Sequence, residues 1–128
     1  MKLFKTMIFG LLIGFSALGH AQTNSEKRDE LKSVLKQSLY KSEVNIDDKN
    51  NVSRVDNNGN KFNFNLSDVL EIKYDFDGFH NVLITMKEGK TVDVVVAGNK
   101  SELKLNVFAF QNQNDCDKAI ELLKQLIE

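Results

Sequence analysis

Residues 62–78 read Phe62-Asn-Phe64-Asn-Leu66-Ser-Asp-Val69-Leu70-Glu-Ile72-Lys-Tyr74-Asp-Phe76-Asp77-Gly78, and their period is two. Phe62, Phe64 and Leu66 alternate with Lys61, Asn63 and Asn65, and Leu70, Ile72, Tyr74 and Phe76 alternate with Glu71, Lys73 and Asp75. A strand sends successive side chains to opposite faces, so this pattern predicts half-buried strands with one apolar face. Upstream, Val52–Asp56 forms a short strand that ends in Asn57-Asn58-Gly59-Asn60, a hairpin turn built from residues that accept positive φ. Downstream, Val82, Ile84 and Met86 face inward, then Val92, Val94 and Val96, with turns at Asp77-Gly78, Glu88-Gly89-Lys90 and Gly98-Asn99-Lys100. Leu103, Leu105 and Val107 give way to Phe108 and Phe110 in the opposite phase, which predicts a bulge or bend near Val107.

Helices flank the strands. Leu31, Val34, Leu35, Ser38 and Leu39 fall at helical spacing behind Ser25, predicting a capped helix over about 26–40. Cys116, Ala119, Ile120, Leu123, Leu126 and Ile127 make one apolar stripe behind Asp115, predicting a helix over about 115–128 that covers the apolar face of the sheet. The expected fold is α+β: antiparallel strands over about 44–110 bent into a barrel or sandwich, closed by the C-terminal helix, with an extra N-terminal helix.

The first 21 residues are set apart from this domain. Lys2 and Lys5 precede an apolar run from Met7, and Gly19 and Ala21 stand at the −3 and −1 positions of a cut before Gln22. The run to Gly19 is about 13 residues, short of the roughly 20 that span a bilayer. The reading is a cleavable signal peptide over 1–21, a single domain over 22–128, and a secreted or periplasmic location in a bacterium. Removing 21 of the 128 residues leaves 107, a common size for one domain. The whole chain carries 17 basic and 18 acidic residues, and loss of Lys2 and Lys5 makes the domain weakly acidic. That charge argues against nucleic acid, whose phosphates demand a basic face, and against an anionic membrane surface. Cys116 is the only cysteine, so no internal disulfide staples the fold.

A run of antiparallel strands over Val44–Phe110, closed by the amphipathic helix with Ala119, Leu122, Leu123 and Leu126, resembles the pleckstrin-homology-like barrel. The hairpin Phe62–Leu66 into Val69–Phe76 resembles its early strands. The resemblance implies a scaffold that binds peptides, proteins or small ligands and rarely catalyses. The N-terminal helix is extra to that fold. Phosphoinositide-binding members carry basic residues around the first hairpin, whereas Arg54–Lys61 here is mostly Asn and Asp, so headgroup binding does not carry over.

No residue is expected to be catalytic, to hold a cofactor or to ligate a metal. His80 and Cys116 could form a nucleophile pair, but a thiol on an apolar helix stripe behaves as a small hydrophobe. Asp47-Asp48, Asp56–Gly59 and Asp75–Gly78 invite a calcium reading. Placing Gly78 or Gly59 at position 6 of an EF-hand loop puts Lys73 or Arg54 at position 1, so they read as hairpin turns. Three sequons, at Asn51, Asn65 and Asn99, are expected by chance in a chain so rich in asparagine. The expected function is a non-enzymatic binding module for a protein or peptide. The alternative is a carrier of a small apolar ligand or lipid, motivated by Phe62, Phe64, Tyr74, Phe76, Phe108 and Phe110. N-terminal sequencing of the protein recovered from its native host should begin at Gln22; an intact Met1 would remove the signal-peptide reading.

Overall fold

The computed structural model describes residues 22–39 and 42–127. The expected signal peptide, residues 1–21, lies outside them, as does Tyr40. Helix α1 (Asn24–Leu35) is followed by strands β1 (Glu43–Ile46), β2 (Asn51–Val55) and β3 (Lys61–Asn65). A 3-10 turn (Leu66–Asp68) leads to β4 (Val69–Phe76) and β5 (His80–Met86). Strands β6 (Val92–Val96), β7 (Asn99–Leu103) and β8 (Leu105–Phe110) then precede helix α2 (Gln113–Ile127). The strands form two antiparallel sheets, one ordered β1-β2-β3-β6-β7 and the other β4-β5-β8. The fold is therefore α+β and sandwich-like, with the sheets not closed into a barrel. Among the described residues no helix is long and apolar enough to cross a membrane.

The core is the shared inner face: Val44, Ile46, Val52, Phe64, Val92 and Val94 from the larger sheet, and Ile72, Val82, Ile84, Met86, Phe108 and Phe110 from the smaller. Helix α2 packs on β4, β5 and β8, and α1 packs on α2 and β1. The α2 stripe is centred on Cys116, Ala119, Leu122, Leu123 and Leu126, all buried, while Ile120 and Ile127 are half-buried. Leu122 joins the buried face because α1 presses on that side of α2. Lys118, exposed, reaches Glu30 of α1 at 2.7 Å.

Local signals move both helix starts. Thr23, not Ser25, caps α1: its Oγ1 accepts the Glu26 N–H, and Glu26 Oε1 accepts the Thr23 N–H. Two otherwise orphaned donors are thereby satisfied. The helix stops at Leu35 rather than near 40, and Ser38 Oγ donates to the Leu35 carbonyl. At α2 the cap is Asn112, whose Oδ1 accepts the Asn114 and Asp115 N–H groups, so Asp115 lies inside the helix.

Two strand phases also differ from expectation. A register shift between Val69 and Glu71 buries Val69 and turns Leu70 outward, 62% exposed. Beyond Ile72, β4 is the edge strand of the smaller sheet, and Tyr74 and Phe76 are exposed on it although Val82, the partner of Tyr74, is buried. The other phase change comes at Lys104 rather than Val107. The chain leaves β7 of the larger sheet there and enters β8 of the smaller, so Asn106, Phe108 and Phe110 point inward.

Three hairpin turns share one device. Asp47, Asp56 and Asp77 each begin a turn and are each followed, four residues on, by Asn51, Asn60 or Asn81. The Asp47 carboxylate accepts the Lys49 and Asn51 N–H groups and the Asn51 side-chain amide. Asp56 repeats this with Asn58 and Asn60, and Asp77 with Phe79 and the Asn81 side chain. Asn50 and Gly59 supply the positive φ that closes the first two turns, at 67° and 81°. Bonds from Asn51 and from Asn81 hold the Asp47 and Asp77 carboxyls below their ordinary range. At Asp56 desolvation pulls upward and is outweighed by the Asn60 and Asn58 N–H bonds.

A carboxylate whose pKa is lowered in the folded state stabilises fully above its unfolded value, near 3.9 for Asp, and loses that contribution as pH falls through the folded value. Thermal melts taken from neutral pH to about pH 2 should therefore show a fall beginning below about pH 4. The triple variant Asp47→Asn, Asp56→Asn, Asp77→Asn should flatten it; an unchanged acid profile would show that these turns do not set acid stability.

Candidate functional site

The strand alternation that buries Val52 also buries Arg54, two residues further along β2 and 6% exposed. Its guanidinium reaches across the sandwich. Nε donates to Ser42 Oγ at 2.9 Å, and Nη1 donates to Asn106 Oδ1 at 3.3 Å and to the Val107 carbonyl at 2.9 Å. The cation sits between two rings, 4.9 Å from the centroid of Phe62 on β3 and 4.3 Å from that of Phe108 on β8. No described carboxylate lies within 4 Å of it. Asp56 is the nearest charge to act on it, but the Asp56 oxygens are committed to their own turn. Burial lowers the Arg54 pKa from its ordinary value, and Asp56 partly offsets this. A guanidinium stays charged even so.

Arg54 stands where β8 has no neighbouring strand. Its bond to the Val107 carbonyl and that of the Leu39 N–H to the Ala109 carbonyl (2.7 Å) occupy two acceptors on the outer edge of β8. Towards Leu105 that edge is unpaired, and a cleft of about 500 Å³ opens between the sheets. Arg54, Phe62, Leu103, Leu105, Asn106 and Val107 line it, with Asp56 and Lys104 at its rim. Asn106 is 3% exposed, and its Nδ2 is sealed from solvent without a hydrogen-bond partner, alone in that state among the described side chains. Arg54 Nη2 makes no hydrogen bond to the described residues. Two other concavities, of about 440 and 350 Å³, lie against β6–β7 and against β2–β3; neither holds a buried unsatisfied group.

The residues weighed for chemistry lie elsewhere. Cys116 is fully buried, and desolvation with help from Asp117 pushes its thiol up to about 11, which leaves it protonated and inert. Nδ1 of His80 lies 2.7 Å from the Tyr74 hydroxyl, and its ring packs against Tyr74 and Phe76. Desolvation, then Cys116 and Asp117, raise the Tyr74 pKa, so the phenol is no nucleophile. Together with Phe79 these rings form an exposed aromatic tip on the β4–β5 hairpin. The pairing of His80 with Phe110 and of Thr85 with Leu105 puts that tip and the cleft at opposite ends of the smaller sheet. Of the six aromatics expected to face one interior, Phe64, Phe108 and Phe110 do so, Phe62 is half-buried, and Tyr74 and Phe76 lie outside. Among the described residues no three His, Cys, Asp or Glu side chains gather as a metal site.

Arg54 and Asn106 were not singled out by the sequence reading. The signal for Arg54 was present: it shares the parity of Val52 on a strand otherwise apolar inside. Asn106 was concealed because the phase change was expected at Val107. No family model, curated protein or solved structure matches this chain.

Burying a guanidinium costs several kcal/mol, offset here by charge-assisted hydrogen bonds and by ring contacts worth up to about 2 kcal/mol each. Arg54→Ala strands the Val107 carbonyl, Ser42 and Asn106 and opens a cavity, and should cost about 2–4 kcal/mol in chemical denaturation. The pair Arg54→Met with Asn106→Leu fills the space and removes the Asn106 demand, while Ser42 and the Val107 carbonyl still lose their donor, and should recover part of that loss. If the pair is as damaging as Arg54→Ala, the guanidinium is needed for folding in itself.

Proposed function

We propose that the chain is a non-enzymatic binding module, acting outside the cytoplasm, that receives a protein or peptide segment at the open corner between its sheets. The observation that supports this reading is the pair of donors without a partner among the described residues, Arg54 Nη2 and Asn106 Nδ2, on two residues that line a cleft beside an unpaired strand edge. A buried polar group without a partner costs about 1–3 kcal/mol, and a ligand that supplies the acceptor returns that energy as affinity. The exposed Leu103 and Leu105 extend the apolar wall to the surface, as a docking segment requires. An edge open to solvent favours an extended chain over a sequestered molecule, because carriers bury most of their ligand. The pleckstrin-homology-like resemblance belongs to the same proposal, since such scaffolds bind far more often than they catalyse.

The test is capture from the cell-envelope extract of the native host, with the wild-type domain and the Arg54→Met, Asn106→Leu variant as parallel baits. A protein retained by the first and lost by the second supports the reading. A protein retained equally by both places the contact elsewhere on the domain, and the aromatic tip is the next surface to alter. A lipid found by mass spectrometry in the wild-type eluate alone would favour the carrier alternative.

A further inference from the structure

We propose that the cleft recognises the C-terminal carboxylate of a peptide whose last side chain is apolar. This rests on the binding-module reading and names the group that reading leaves open. Arg54 and Asn106 both line the cleft, and the groups they leave without a partner among the described residues, Arg54 Nη2 and the solvent-sealed Asn106 Nδ2, are donors. The group that answers several donors and needs to give none back is an acceptor with two oxygens, and a carboxylate is the smallest such group. A guanidinium fork matches its planar geometry and forms short charge-assisted bonds with it.

The surroundings narrow the choice. Phe62, Leu103, Leu105 and Val107 provide apolar walls, where an ionic hydrogen bond is stronger than in water and a Leu, Val or Phe side chain finds cover. The charges at the cleft are Arg54 and Lys104 against Asp56, one positive in balance, which suits a monoanion. A phosphate dianion would meet the Asp56 charge with too few donors to offset it. The backbone supplies the last element. Arg54 bonds to the outward Val107 carbonyl, so by the alternation of a strand Leu105 presents its own N–H and C=O to that edge. Neither group takes part in a backbone bond outside the sheet ladder. A peptide entering with its carboxylate at Arg54 lays its preceding residues along Leu105 and adds a short strand to β8.

The probes are N-acetyl pentapeptides of Gly and Ser that end in Leu, Val or Phe, each as the free acid and as the amide, with sodium decanoate as a chain lacking a peptide backbone. Binding is read from amide shifts of the ¹⁵N-labelled domain, residues 22–128. The expected result is shifts at Arg54, Phe62 and Leu103–Val107, with amides weaker than acids by about ten-fold or more, the loss expected for one charge-assisted contact. The Arg54→Met, Asn106→Leu variant should keep a dispersed spectrum and lose the preference for the acid. Equal binding of acid and amide would overturn the carboxylate while leaving the cleft as a peptide site. Decanoate shifting the cleft where no peptide does would overturn the peptide and transfer the site to a carrier. No shift with any probe at millimolar concentration would overturn the proposal. The envelope capture then reports independently on the binding-module reading.

Discussion

One cation holds the corner that strand pairing leaves open. The two sheets are joined by chain crossings and by helices at the other side, but between β2 and β8 no ladder connects them. Arg54 spans that gap, bonding to a β8 carbonyl and lying between a ring from each sheet. An apolar side chain would pack there, yet it would leave the Val107 carbonyl facing a hydrophobic wall without a donor. Closing the sandwich by a ladder would satisfy that carbonyl at the expense of the cleft. A long side chain ending in a forked donor does something between the two. It satisfies one acceptor, fixes the sheet spacing and keeps a donor over.

The rest of the fold is organised by local chemistry that relieves this corner of other duties. With no disulfide and no proline, the hairpins are set by side chains. The repeated Asp-x-x-x-Asn turn ties three of the connections to themselves, so their carboxylates are already filled. Asp56 shows this most directly: it is close enough to act on the guanidinium, and its oxygens accept from Asn58 and Asn60 instead. The buried cation is therefore left without an ion pair to a described carboxylate.

Much of the fold was legible because its signals are short-range. Alternation located β2, β3, β5 and β6, Asn-Gly and Asp-Gly marked two of the turns, and helical spacing found both helices. The errors have physical causes. Parity carried along β4 failed at a register shift, since one extra residue reverses every side chain after it. Solvent exposure of Tyr74 and Phe76 belongs to their place on an edge strand, which no periodicity reports. The Thr23-x-x-Glu26 capping box was legible and was passed over for Ser25. The site was less legible than the fold. Arg54 could be placed on the inner face by counting from Val52, but its partners Ser42, Asn106 and Phe108 come from up to 54 positions away in sequence. Asn106 needed the turn at Lys104, which is set by the passage from one sheet to the other.

The orphaned Asn106 amide separates a structural role for this corner from a binding one. If the polar group existed only to hold the sheets, its members would be expected to satisfy one another. A fully bonded network stabilises, and a partly bonded one is worse than an apolar core. Here the acceptor side is complete: the Ser42 oxygen, the Asn106 oxygen and the Val107 carbonyl are all used. Among the described residues only donors are left over, Nη2 on one residue and Nδ2 on the other, and both residues line the same cleft. Random imperfection in packing would leave donors and acceptors alike, scattered through the interior. On the proposed reading, a surplus of one sign in one place calls for an acceptor as its complement, and the guanidinium makes a charged acceptor the strongest complement available.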